Sequence, residues 1–79
     1  MAAHIEPFYS ELGKRVLELR TRRGMTQERL GALLEPPATR ASIANIEGGK
    51  QRVLVHTLLQ LATALQVHAD ELLDDGPVS

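Results

Sequence analysis

Leu12, Val16 and Leu19 recur at the i, i+4, i+7 spacing that lines one face of a helix, and Pro7 ahead of them suits a first helical turn. Gly24, after Arg22 and Arg23, reads as the stop, because glycine accepts the left-handed turn and cations suit the negative end of the helix dipole. Gly13 lies inside this helix, where it costs about 1 kcal/mol relative to alanine, so it predicts a close approach by another segment. Thr26 is a suitable N-cap for a second helix with Leu30, Leu33 and Leu34 facing inward, and Met25 with Leu30 forms a candidate hydrophobic staple. Pro36-Pro37 ends it. Thr39 caps a short third helix that runs to Glu47, buries Ile43 and Ile46, and stops at Gly48-Gly49. Leu58, Leu61, Ala62 and Leu65 repeat the helical spacing in a fourth helix, and Leu72 and Leu73 fall in a short fifth. The pattern predicts five helices with short connections and no strand.

Composition narrows this to a single all-α domain over residues 1–79, with its core at about 8–73 and residues 74–79 as a frayed tail. One Phe, one Tyr and no Trp leave the core to aliphatic side chains, which favours helices packed on helices. Without cysteine there is neither a disulfide nor a thiolate metal site. The three histidines are dispersed and lack metal-ligand spacing, so no metal and no cofactor is expected. No apolar run approaches the roughly 20 residues that span a bilayer, and no basic-then-apolar leader opens the chain. A cytoplasmic, nucleoid-associated protein without membrane contact is the expectation.

The net charge of −1 conceals an asymmetry. Residues 14–52 hold all nine basic residues against four acids, a net +5, whereas residues 53–79 carry four acids and no Lys or Arg. A basic working half and an acidic half turned away from a polyanion would produce this distribution, as would an ordinary solvated surface. Within the basic half, Arg40–Lys50 ("RASIANIEGGK") places Ser42, Ala44 and Asn45 where an idle surface helix usually carries Glu, Lys or Gln. Small side chains let another body come close. Two short capped helices joined by a turn, the second of them this stretch, fit a helix-turn-helix unit.

With those elements in place, "LGKRVLELRTRRGMTQERLGALL", "RASIANIEGGK" and "HTLLQLATALQVHADELL" together resemble the Cro/phage-repressor (Xre-type) DNA-binding family from about Leu12 to Leu73. Arg20, Thr26-Gln27, Leu30-Gly31, Ile43, Ile46-Glu47, Gly49-Lys50 and Leu61-Ala62 carry the resemblance in order and approximate spacing. It implies a compact five-helix bundle of the lambda-repressor-like class. The resemblance also implies base contacts from Arg40, Ala41, Ala44 and Asn45, for which guanine, adenine and the thymine methyl are suitable partners. Gln27, Thr39, Ser42, Lys50 and, more loosely, Arg52 match phosphate-contacting positions. Arg20 and Glu47 match a paired position, read here as an ion pair at least half buried. Gly31 matches a small-residue position that lets the third helix lie close to the second.

Alternatives stand beside several of these roles. Ala41 and Ala44 would equally serve packing under a neighbouring helix, Asn45 a cap, and Lys50 and Arg52 plain surface charge. Eight residues separate Leu34 from Ile43, two more than the family pattern, with Pro36-Pro37 among them, which bears on how Arg40 and Ala41 are presented. Gln66 stands where the family has a glycine after the fourth helix, implying a left-handed non-glycine residue or a different exit. "VLVH" before that helix lacks the usual proline and polar cap, which predicts partly exposed Val53, Leu54 and Val55.

The expected function is a sequence-specific transcriptional regulator binding double-stranded DNA, a homodimeric repressor on a two-fold operator. Leu54, Leu72 and Leu73 are the expected dimer contacts, since late leucines at the edge of a small core call for cover. The competing reading is an antitoxin-like interaction module whose main partner is another protein. No paired carboxylates, activated nucleophile or phosphate loop suggests an enzyme.

Overall fold

The computed structural model describes residues 6–73; the expected tail at 74–79 lies outside them. Five helices follow in order: α1 (Glu6–Arg22), α2 (Gln27–Ala32), α3 (Arg40–Glu47), α4 (Val55–Leu65) and α5 (Ala69–Leu73), with no strand among the described residues. Local chemistry sets their ends. Thr26 takes an extended conformation (φ −82°, ψ 164°) and its Oγ1 accepts from Arg29 N at 3.0 Å, which opens α2. At the end of α1, Gly24 is left-handed (φ 67°); Gly24 N donates to Thr21 O and Met25 N to Arg20 O, the paired bonds of a Schellman stop.

One aliphatic core joins the helices. Leu12 and Val16 of α1, Leu30 and Leu34 at α2, Ile43 and Ile46 of α3, Leu58, Leu61, Ala62 and Leu65 of α4, and Leu72 of α5 are all buried. Leu19 and Met25 pack against this cluster while keeping some exposure. Leu33 departs from expectation. It is the C-cap of α2 rather than an inward residue, and 39% of its surface is exposed. Leu33 and Leu34 both lie past Ala32, the last residue of α2, where the turning backbone carries Leu34 into the core and leaves Leu33 outside.

Two glycines are occupied by backbone. A Cβ on Gly13 would collide with the carbonyl oxygens of Ile46 and Glu47, so α1 and the end of α3 touch main chain to main chain there. A Cβ on Gly31 would meet the carbonyl oxygen of Ala38, and Ala38 N donates to Gly31 O at 2.9 Å. The close approach at Gly31 is therefore to the residue just before the cap of α3, with the Ile43 side chain behind it at 3.4 Å. At the far end of α4, Gln66 adopts φ 61° and ψ 43°, a left-handed non-glycine stop held by Arg23 through Gln66 Oε1 (3.2 Å) and Gln66 O (3.4 Å).

Candidate nucleic-acid interface

The site is built on α3. Thr39 opens it: φ is −78°, ψ is 161°, and Oγ1 accepts from Ser42 N at 3.0 Å. Because Thr39 acts through an acceptor lone pair, its hydroxyl hydrogen stays available to a phosphate oxygen on this exposed position. Ile43 (0% exposed) and Ile46 (2%) fix the inward face. At 100° per residue the opposite face must then be Arg40, Ala41, Ala44 and Asn45, and all four are exposed. Neither alanine is packed under a neighbouring helix.

The exit of α3 is equally defined. Gly49 is left-handed (φ 69°), Gly49 N donates to Ile46 O at 3.1 Å and Lys50 N to Asn45 O at 2.9 Å, a second Schellman stop. A Cβ on Gly49 would lie 2.7 Å from Ser10 Cα, so glycine is required both for its φ and for the approach of α1. Lys50 is thereby held at the rim of a recess shared with Ser10, Gly48 and Gly49, its side chain exposed. Ser42, partly buried, and Arg52, exposed, border a different groove beside the α2–α3 turn. Arg40 borders a third recess with Thr26, Gln27, Glu28 and Arg20. Glu28 places a negative charge among the basic groups of that recess.

Glu47, the last residue of α3, gathers three elements. Arg20 Nε and Nη2 donate to its two carboxylate oxygens, the latter at 3.1 Å, and Arg20 Nη1 donates to Met25 O at 2.8 Å. Gln27 Nε2 donates to Glu47 Oε1 at 2.9 Å. The Arg20 side chain is 11% exposed and that of Glu47 5%, so the ion pair sits in the wall of the domain. Bidentate geometry and added hydrogen bonds are what a desolvated pair requires. The expected role of Gln27 changes in emphasis: its amide nitrogen is engaged within the protein, tying α2 to α3.

Among the expected dimer residues, Leu72 is a correction. It is fully buried (0% exposed) in the monomer's own core and has no surface to offer a partner. Leu54 (74% exposed) and Leu73 (44%) are open, as are Val55 (72%) and Leu59 (51%). Leu59 was missed from sequence, although a signal existed: it falls off the Leu58, Leu61, Leu65 stripe and must face away from the core. Val55 and Leu59 are four apart on α4 and share a face. Among the described residues no helix is long and apolar enough to cross a membrane, and no cluster of His, Asp or Glu has the makings of a metal site.

The comparisons with known proteins agree with this construction. A family model described as a helix-turn-helix domain matches residues 11–75. Among solved structures, the chain is similar to the restriction-modification controller protein C.AhdI from Aeromonas hydrophila, with 36% sequence identity and a TM-score of 0.75, over 81% of this chain and 94% of that one. Among curated proteins, none matches. With α2 and α3 both capped, α3 presenting a bare outer face, and these likenesses spanning most of its length, the chain belongs to the Cro/phage-repressor (Xre-type) helix-turn-helix family of DNA-binding transcription regulators.

Proposed function

We propose that the protein is a homodimeric repressor that reads a two-fold operator by placing α3 in the major groove. The observation that carries this is the outer face of α3: Arg40, Ala41, Ala44 and Asn45 are all exposed while Ile43 and Ile46 anchor the helix from behind. Arg40 pairs with guanine O6 and N7, Asn45 with adenine N6 and N7, and the alanines leave room for a thymine methyl. Thr39, Ser42, Lys50 and Arg52 hold the flanking phosphates, with Gln27 contributing from the start of α2. The net +5 over residues 14–52 supports the same orientation, with the acidic C-terminal half away from DNA. The likeness to a restriction-modification controller favours transcription control as the biological role.

One short helix reads only a few base pairs, so specificity calls for a second copy. The exposed Leu54, Val55, Leu59 and Leu73 supply an apolar surface for it. Selection of bound duplexes from a random pool tests the whole reading. The expected product is a two-fold motif with half-sites about one helical turn, roughly 10 base pairs, apart. No enriched motif would overturn it, and a single asymmetric half-site would overturn the dimer.

A further inference from the structure

The turn between α2 and α3 is held from outside the helix-turn-helix unit. Leu33 N and Leu34 N close the end of α2 by donating to Leu30 O (3.1 Å) and Gly31 O (3.2 Å). Beyond them, Pro36 and Pro37 have no N–H, so Glu35 and Ala38 carry the remaining backbone donors up to the Thr39 cap. Ala38 N returns to Gly31 O on α2 at 2.9 Å. Glu35 N instead donates to Gln60 Oε1 at 3.2 Å, and Glu35 O accepts from His56 Nε2 at 3.1 Å. A carbonyl offers no hydrogen, so the imidazole proton of this bond resides on Nε2. His56 and Gln60 are four apart on α4, and both bonds fall on the main chain of one residue.

Leu34 buries the start of this turn in the core it shares with Leu58, Leu61 and Ala62 of α4, and past it Glu35, Pro36 and Pro37 are exposed. Leu34, Pro36, Pro37, Leu54, His56 and Gln60 border an open groove of about 320 Å³ between them. Where side chains do not interlock, directional hydrogen bonds decide position. The two ends of α3 also differ in how they are held. Its C-terminal end has Ile46 in the core, Gly13 against the carbonyls of Ile46 and Glu47, the Arg20–Glu47 pair, and Gly49 on Ser10. Its N-terminal end has Ile43, the main-chain contact of Ala38 with Gly31, and the turn.

We infer that His56 and Gln60 are positioning residues for base reading: by clamping Glu35 to α4 they fix the angle at which Arg40 and Ala41 enter the groove. This rests on α3 being the DNA-reading helix.

The test uses the full chain as wild type, His56→Ala/Gln60→Ala, and Gln60→Glu, which keeps an acceptor for Glu35 N–H. Random-pool selection and residue-resolved amide exchange are run on each. The double variant is expected to keep its helicity and, within a few degrees, its melting temperature. Its exchange should quicken at Glu35 and through the first turn of α3, with Gly48–Lys50 unchanged. Discrimination at the base pair read by Arg40 should fall about 3- to 10-fold, the scale of one to two net hydrogen bonds, while the pair read by Asn45 keeps its preference. Gln60→Glu should retain wild-type discrimination. If wild type enriches a motif and the double variant enriches it equally, the clamp is overturned while the DNA reading stands. If wild type enriches nothing, the DNA reading falls and the positioning role with it. Exchange that quickens uniformly across all helices also overturns the clamp, since that signals general destabilisation.

Discussion

Gln27 Nε2 lies 2.9 Å from Glu47 Oε1, so the first residue of α2 is bonded to the last residue of α3. The same carboxylate receives Arg20 of α1. The geometry between the two helices of the motif thus depends on one acid that both α1 and α2 address, and the carboxylate's remaining capacity is small.

Removing that acid should be costly. In Glu47→Ala the guanidinium of Arg20, whose side chain is 11% exposed, keeps only Met25 O as a partner. A loss of about 3–5 kcal/mol is expected, against under about 1 kcal/mol for a solvent-screened surface pair. Urea unfolding decides between them. Gln27→Ala should cost less, about 1.5–3 kcal/mol, because it removes one neutral donor from a carboxylate that keeps its arginine.

Gly13→Ala tests the contact between α1 and α3. Alanine gains about 1 kcal/mol of helix propensity over glycine. Its methyl would nevertheless enter the carbonyl oxygens of Ile46 and Glu47, which are main chain and cannot rotate away. The expected net effect is destabilisation of about 1–3 kcal/mol, read from the denaturation midpoint. A variant more stable than wild type would show that α1 and α3 do not touch here.

Gln66→Gly should act in the opposite direction. Gln66 holds φ 61°, which penalises a side chain by roughly 1–2 kcal/mol. Glycine removes the strain, adds unfolded-state entropy, and loses the exposed bond from Arg23 to Gln66 Oε1 while keeping the one to Gln66 O. A net gain of about 0.5–1 kcal/mol in thermal unfolding is expected; a loss would mean that the Arg23 contact outweighs the backbone.

Arg40 and Lys50 should separate reading from holding. Arg40→Ala is expected to cost roughly 1–3 kcal/mol on the selected operator and to relax one or two base pairs. Lys50→Ala should weaken operator and scrambled duplex alike and reduce the salt slope by about one per site filled. Titrations at several salt concentrations check both. An equal loss on the two duplexes for Arg40→Ala would make it a backbone contact.

Adjacent leucines should behave differently at the C-terminal end. Leu72→Ala, at a fully buried position, should destabilise the fold by about 2–5 kcal/mol. Leu73→Glu, at a position 44% exposed, should leave the fold nearly intact and shift mass from dimer to monomer in light scattering. An unchanged dimer would remove Leu73 from the interface and direct attention to Leu54, Val55 and Leu59.

What the chain alone determined is what depends on a few neighbouring residues. Thr26 and Thr39 cap α2 and α3, and Gly24 and Gly49 close α1 and α3, through bonds that span five residues or fewer. The stripes Leu12–Val16, Ile43–Ile46 and Leu58–Leu61–Leu65 were legible because each runs along one helix face, and with Ile43 and Ile46 inward the bare face of α3 follows. Tertiary structure decided the rest. It alone put Leu34 inward and Leu33 out, because both lie past the last residue of α2, where the turning backbone decides which one meets the core. It alone placed Leu72 in the core and Leu73 outside, turned Gln27 onto Glu47, and set His56 and Gln60 on Glu35 across more than twenty residues of chain. Such contacts depend on where separate helices cross, which no local pattern encodes.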